Sequence, residues 1–156
     1  MKSPPVKIII DDLTGTEIAA FLQEHIDEMV AVTPPQSKHA LDLPGLQKPE
    51  VTFWTMLDGD TIVGTGALKA LDPTHAEVKS MRTRPVRKRQ GIATRMLSHL
   101  ISEGRDRGFS RLSLETGSFE FFAPARALYE KHGFEYCGPF GDYEEDPNSV
   151  FMTLVL

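Results

Sequence analysis

The sequence predicts one mixed α/β domain, and three observations carry that prediction. Short β-branched and apolar runs alternate with stretches whose apolar residues recur every three or four positions, the two periods of strand and helix. Asp58-Gly59 stands between two apolar runs, a strong hairpin signal. A strand, a long amphipathic stretch and another strand then follow in order from Ala76 to Thr116, a βαβ unit whose strands are expected to be parallel neighbours.

The elements follow in order. Val6 to Ile10 reads as a first strand. A helix is expected from Thr14 or Gly15, with Ile18, Phe21, Leu22, His25, Ile26, Met29 and Val30 on one stripe, and Pro34-Pro35 stops it. Gln36 to Glu50, with Pro44, Gly45 and Pro49, reads as a loop with one helical turn, a candidate lid or a plain surface connection. Val51–Leu57, Thr61–Leu71 and Ala76–Thr83 form a three-strand meander; Gly64 and Gly66 in its middle strand point to a bulge or a close neighbour. Gly91 to Arg107 carries Ile92, Met96, Leu97, Leu100 and Ile101 on one face, and as a helix would span about 25 Å.

Arg111 to Thr116 is a strand, with Leu112 and Leu114 on one side and Ser113 and Glu115 on the other. A second long helix starts near Pro124, a favoured first-turn position, with Ala125, Leu128, Tyr129 and His132 on its stripe and Gly133 as its stop. Phe134–Pro139 and Val150–Leu156 are the closing strands, joined through the acidic stretch Gly141–Asn148. The order β-α-β-β-β-α-β-α-β-β fills residues 1–156 as a single domain, with about seven strands and three to four flanking helices.

Composition narrows the function. The chain has 156 residues, 40% of them hydrophobic, enough for a sizeable core. A net charge of −5 argues against a general nucleic-acid binder. Cations cluster instead between Lys79 and Arg89. Cys137 is alone, so no internal disulfide and no zinc-type cysteine cluster is expected. Met1-Lys2-Ser3-Pro4-Pro5 does not open like a secretory signal, and no apolar run is long enough to span a membrane. The expected location is the cytoplasm, with no membrane partner.

Arg87-Lys88-Arg89-Gln90-Gly91-Ile92-Ala93-Thr94 is the most informative stretch. It places cations and a glycine on a helix N-terminus, where free N–H groups and the helix dipole favour an anion. A solvated basic loop is the plain alternative. No G-x-G-x-x-G and no P-loop signature occurs, so dinucleotide and P-loop readings lack their motifs.

Taken together, the meander, the motif Lys88-Arg89-Gln90-Gly91-Ile92-Ala93 and the segment Leu128-Tyr129-Glu130-Lys131-His132-Gly133-Phe134 resemble the GNAT superfamily of acyl-CoA-dependent N-acetyltransferases. The resemblance spans essentially the whole chain. It departs at Lys88, where Arg or Gln is usual and where Arg87 stands next door, and at Phe122, where the family usually has asparagine. It implies a GNAT fold, a mostly antiparallel sheet with one splayed parallel pair, and acetyl-CoA as co-substrate in the split, with no metal. Met81, Arg82 and Thr83 would pair with the pantetheine arm. Arg87, Lys88, Arg89, Gln90, Gly91, Ile92, Ala93 and Thr94 would surround the pyrophosphate.

Tyr129 would be the acid for the leaving thiolate, or else a packed core ring. Glu77, expected to share a strand face with Lys79 and Met81, is the candidate base; the alternatives are an ion pair with Lys79 or a substrate anchor. Glu115 is a second candidate base near the cofactor, whereas His39, His132 and Cys137 are poor catalytic candidates. The implied reaction moves an acetyl group directly to an amine of a small molecule, peptide or protein. The competing reading is a non-catalytic acyl-CoA-binding regulatory module. The acceptor and the oligomeric state stay open, a homodimer being one expectation. The acidic run Asp142–Asp146 could attract a cationic acceptor or be merely solvated.

Overall fold

A computed structural model of the chain describes residues 6–32 and 43–156. The Pro34-Pro35 helix stop, His39, the Met1–Pro5 opening and the first part of the candidate lid lie outside the described residues. The strands are β1 (Val6–Ile10), β2 (Val51–Asp58), β3 (Thr61–Asp72), β4 (His75–Thr83), β5 (Arg111–Gly117), β6 (Glu135–Cys137) and β7 (Ser149–Val155). The helices are α1 (Thr16–Val32), α2 (Leu43–Leu46), α3 (Ile92–Asp106) and α4 (Ala123–Lys131). The strands form one sheet in the order β1-β2-β3-β4-β5-β7-β6. Every neighbouring pair is antiparallel except β4–β5. This is the mixed sheet with one parallel pair that the sequence predicts.

Two apolar clusters cover the two faces. On one, α3 packs Ile92, Met96, Leu97 and Leu100 against Trp54, Val63, Leu68, Val78, Leu112 and Leu114, and Tyr129 of α4 joins the same cluster. On the other, Ile18, Phe21 and Leu22 of α1 and Leu46 of α2 pack on Phe53, Ile62 and Ala67. Gly64 and Gly66 mark a close neighbour, and β3 also carries an extra residue beside Gly64: Met56 pairs with Gly64 and Leu57 with Ile62, with Val63 between them. A Cβ on Gly64 would lie 2.7 Å from Ile92 Cγ2, and one on Gly66 would lie 2.7 Å from Met96 Cγ. Missing side chains thus let α3 settle onto the middle of the sheet.

A second bulge is in β4. Arg82 pairs with Thr65 and Lys79 with Ala67, so three steps along β4 oppose two along β3. Ser80 takes φ 55° there, and its carbonyl accepts a hydrogen bond from Thr65 Oγ1 at 2.7 Å. Glu77 and Lys79 therefore share the α1 face as expected, but Met81 does not. It packs against the α3 cluster, and Arg82 takes the α1 side in its place. Strict alternation misassigned Met81 because it cannot see an inserted residue.

The other differences are at element ends. The helix expected over Gly91–Arg107 is Ile92–Asp106, with Gly91 and Arg107 as its caps. The strand expected over Phe134–Pro139 keeps only Glu135–Cys137, at the sheet edge. Gly133, at φ 96°, ends α4 as expected, and His132 at its C-cap turns its Nδ1 onto the Leu128 carbonyl at 2.9 Å.

Candidate active site

The parallel pair β4–β5 holds for three residues only, His75↔Arg111, Ala76↔Leu112 and Glu77↔Ser113. Beyond Glu77 the strands continue without a shared ladder, so β4 from Val78 onward has no backbone partner on its β5 side. A cleft of about 140 Å³ opens in this split. Its walls come from α1 (Leu22, His25, Ile26, Met29), β4 (Glu77–Met81), β5 (Glu115, Thr116) and the start of α4 (Phe122, Ala125, Tyr129). The cleft joins the two faces of the sheet, with Glu77 and Lys79 towards α1 and Tyr129 in the α3–α4 cluster.

Tyr129 is 7% exposed, its ring edge-on to Phe134 at 5.8 Å. Burial, and secondarily the charge of Glu115, push its hydroxyl pKa well above the usual 10. The group is therefore a proton donor at any physiological pH. Glu77, 3% exposed, has Oε2 occupied twice, by Lys79 Nζ at 3.1 Å and by the hydroxyl of Tyr143, which donates to it. Lys79 also donates to the Tyr143 oxygen at 3.2 Å. The ion pair left open by the sequence is thus formed, within a buried triad.

Tyr143 is the site residue that sequence reasoning missed. It belongs to the acidic loop between β6 and β7, where Glu144 and Glu145 are exposed, but it turns inward against Phe140 and Phe151. Burial and the Glu77 charge raise its pKa too, so it stays a donor. The one available signal was an aromatic residue inside a charged loop.

The basic stretch divides into held and open residues. Arg87 spends its guanidinium on Asp58, at 2.9 Å, and on Gln90 Oε1, at 2.6 Å. Its side chain braces the loop against the β2–β3 hairpin. Lys88, Arg89, Gln90 and Thr94 are exposed, Ala93 is half-buried and Ile92 is buried beneath Gly64, so only the backbone of Ile92 can serve a ligand. Arg89 at φ 66° and Gly91 at φ 79° bend the chain into α3. A Cβ on Gly91 would meet nothing within 4 Å, so glycine is required here by conformation and not by space. No side chain caps α3, and its first N–H groups are left for an anion.

Arg82, named for its backbone, has a second role. Its buried guanidinium donates to the Phe21 carbonyl at 2.6 Å and pairs with Glu28 at 2.9 Å, tying α1 to β4. Thr83 closes the strand opposite Gly64.

His25, which the sequence placed on the apolar stripe, lines the cleft from α1. Burial first, then the Arg82 charge, lower its pKa from 6.5 to about 4. The imidazole is neutral at pH 7. Between about 6.5 and 4 the unfolded chain binds more protons at this group than the folded chain, so stability falls as pH drops through that window, by roughly 3 kcal/mol in full. Urea unfolding at pH 7 and pH 4.5 should therefore show a smaller acid loss for His25→Gln than for the wild type. Equal losses would refute this account.

Among the described residues no group of three or more His, Cys, Asp or Glu is arranged to hold a metal ion, and no helix is long and apolar enough to cross a membrane.

Comparison with known proteins accords with this geometry. The N-acetyltransferase YsnE of Bacillus subtilis (strain 168), uncharacterised by its name, is 55% identical over 146 residues, covering 94% of this chain and 97% of that protein. A second protein so named, YedL of Escherichia coli (strain K12), is 47% identical over 146 residues, covering 94% and 92%. The crystal structure of an acetyltransferase from Streptococcus agalactiae 2603 superposes with a TM-score of 0.76 at 20% identity, over 97% of this chain and 98% of that one, and shares its fold. The model of the acetyltransferase (GNAT) family matches residues 16–134. Matched over most of its length, the chain belongs to the GNAT acetyltransferase family.

Proposed function

We propose that this N-acetyltransferase, whose family uses acetyl-CoA, joins donor and acceptor across the β4–β5 split, with Tyr129 as acid and Glu77 as base. The observation that carries the reading is the end of the β4–β5 ladder at Glu77, which opens one cleft walled by both residues. The chain fits the donor at two places. Beyond Glu77, β4 has backbone groups with no partner on the β5 side, suited to an arm that carries amides. The uncapped start of α3, with Lys88 and Arg89 exposed beside it, suits a pyrophosphate.

In this reading Met81, Arg82 and Thr83 offer backbone to the arm, and Arg87 through Thr94 form the phosphate loop, with Arg87 as its brace. Acetyl-CoA supplies the acyl group and a thiolate leaving group. Glu77 takes a proton from the amine, through the oxygen that Tyr143 and Lys79 leave open. Tyr129 gives its proton to the departing sulfur. Glu115, the second candidate base, lines the same cleft and acts electrostatically on Tyr129 and Tyr143. A cytoplasmic setting suits the lone Cys137, and the exposed Tyr136 and Val155 at the β6–β7 edge suit a homodimer contact.

The full-length protein should release free CoA thiol from acetyl-CoA only when an amine is present, followed with a thiol reagent across a panel of amines. Acetyl-CoA binding without release for any amine would leave the non-catalytic binding module as the better description.

A further inference from the structure

The Glu77–Lys79–Tyr143 triad leaves two valences facing the cleft. Oε2 of Glu77 is taken by Lys79 and Tyr143, while Oε1 has no hydrogen bond among the described residues. An ammonium has three donors. Lys79 uses one on Glu77 Oε2 and one on the Tyr143 oxygen, so one remains. Its side chain is only 8% exposed, yet it lines the cleft beside Glu77. The floor thus presents a carboxylate oxygen and a charged N–H donor side by side, with 3.1 Å between the two head groups.

That pairing matches a molecule whose amine and carboxylate are separated by one carbon. A bare amine cation entering the same floor would bring a second positive charge beside Lys79 and leave the remaining Lys79 donor without an acceptor, which discriminates against such a ligand. Above the floor the walls from the helices are apolar, Leu22, Ile26 and Met29 from α1 and Phe122 and Ala125 from the start of α4, while β5 contributes Glu115 and Thr116. His25, neutral at pH 7, adds no charge there. Phe122 packs its ring over Gly117, where a Cβ would lie 2.1 Å from Phe122 Cδ2, so this wall is fixed in place.

We propose that the acceptor is a free α-amino acid with an apolar side chain, its amine on Glu77 Oε1 and its carboxylate on Lys79 Nζ. This rests on the acetyl-transfer reading above. The nitrogen gives its proton to Glu77 and forms the new N–C bond as the C–S bond breaks, and the carboxylate is unchanged by the reaction.

The test compares L-leucine, L-leucinamide and 3-methylbutan-1-amine as acceptors for the full-length enzyme, with kcat and KM from CoA release. Leucine should exceed the other two in kcat/KM by about tenfold or more, because both lack the group that Lys79 binds. In Lys79→Gln the leucine-to-leucinamide ratio should collapse towards one, through KM for leucine, and Lys79→Arg should keep the ratio well above one. A ratio insensitive to Lys79→Gln, or leucinamide or the plain amine used as well as leucine by the wild type, overturns the proposal. The wild-type ratio and Lys79→Arg decide the matter should Lys79→Gln fail to fold by circular dichroism. Turnover confined to amines without a carboxylate overturns this inference alone. Absence of turnover with every amine overturns the acetyl-transfer reading beneath it.

Discussion

Amine-dependent CoA release should fall about a hundredfold in Tyr129→Phe, the low end of what a positioned proton donor contributes. The substitution removes one oxygen and keeps the ring against Phe134 and the α3 cluster. Folding and the KM for acetyl-CoA should therefore change little, and the loss should appear in kcat. The same burial that isolates Tyr129 raises its pKa, so the wild-type rate should show no alkaline decline attributable to this hydroxyl up to pH 10. A variant rate within twofold of wild type, measured at saturating amine, would return Tyr129 to the status of a packed core ring.

Glu77→Gln should be as severe in rate, about a hundredfold or more, and it should also lower stability. An amide cannot accept a proton from the amine. It also leaves the Lys79 ammonium, 8% exposed, without its counter-charge, and breaking a buried pair in this way costs about 3 kcal/mol or more. The two effects separate in the double variant Glu77→Gln/Lys79→Met. Removing the stranded charge should recover much of the stability in urea unfolding while leaving the rate low. Recovery of the rate together with the stability would mean that Glu77 serves the fold and not the chemistry.

Much of the fold was legible because its signals are local. The Asp58-Gly59 turn, the α3 stripe from Ile92 to Ile101 and the Gly133 stop each depend on a few neighbouring residues, and each lies where the periodicity placed it. The site was legible where it coincides with such elements: Gly91 ahead of α3, Tyr129 on the stripe of α4, Glu77 on β4. What escaped depends on contacts between distant segments. Tyr143 lies 66 residues from Glu77, and its inward turn is set by Phe140 and Phe151, which no spacing rule connects to β4. Arg87 was read by its sequence neighbours, but its guanidinium answers to Asp58, 29 residues earlier. His25 looked like one more stripe position because a helical wheel does not tell a core from the wall of a cleft.

The extra residue at Ser80 acts on β4 as a frameshift acts on a message. Before it, odd-numbered residues face α1; after it, even-numbered ones do. The strand can therefore present Glu77 and Lys79 to the cleft and still deliver Arg82, an odd number of positions further on, to Phe21 and Glu28 on that same face. Straightening the strand here, with Ser80 taking a regular place in the ladder, would leave composition and hydropathy untouched. It would nevertheless exchange Arg82 and Met81, driving a guanidinium into the apolar packing of α3 and leaving α1 without its tether. The bulge, and not the letters around it, thus decides which of the two side chains reaches α1.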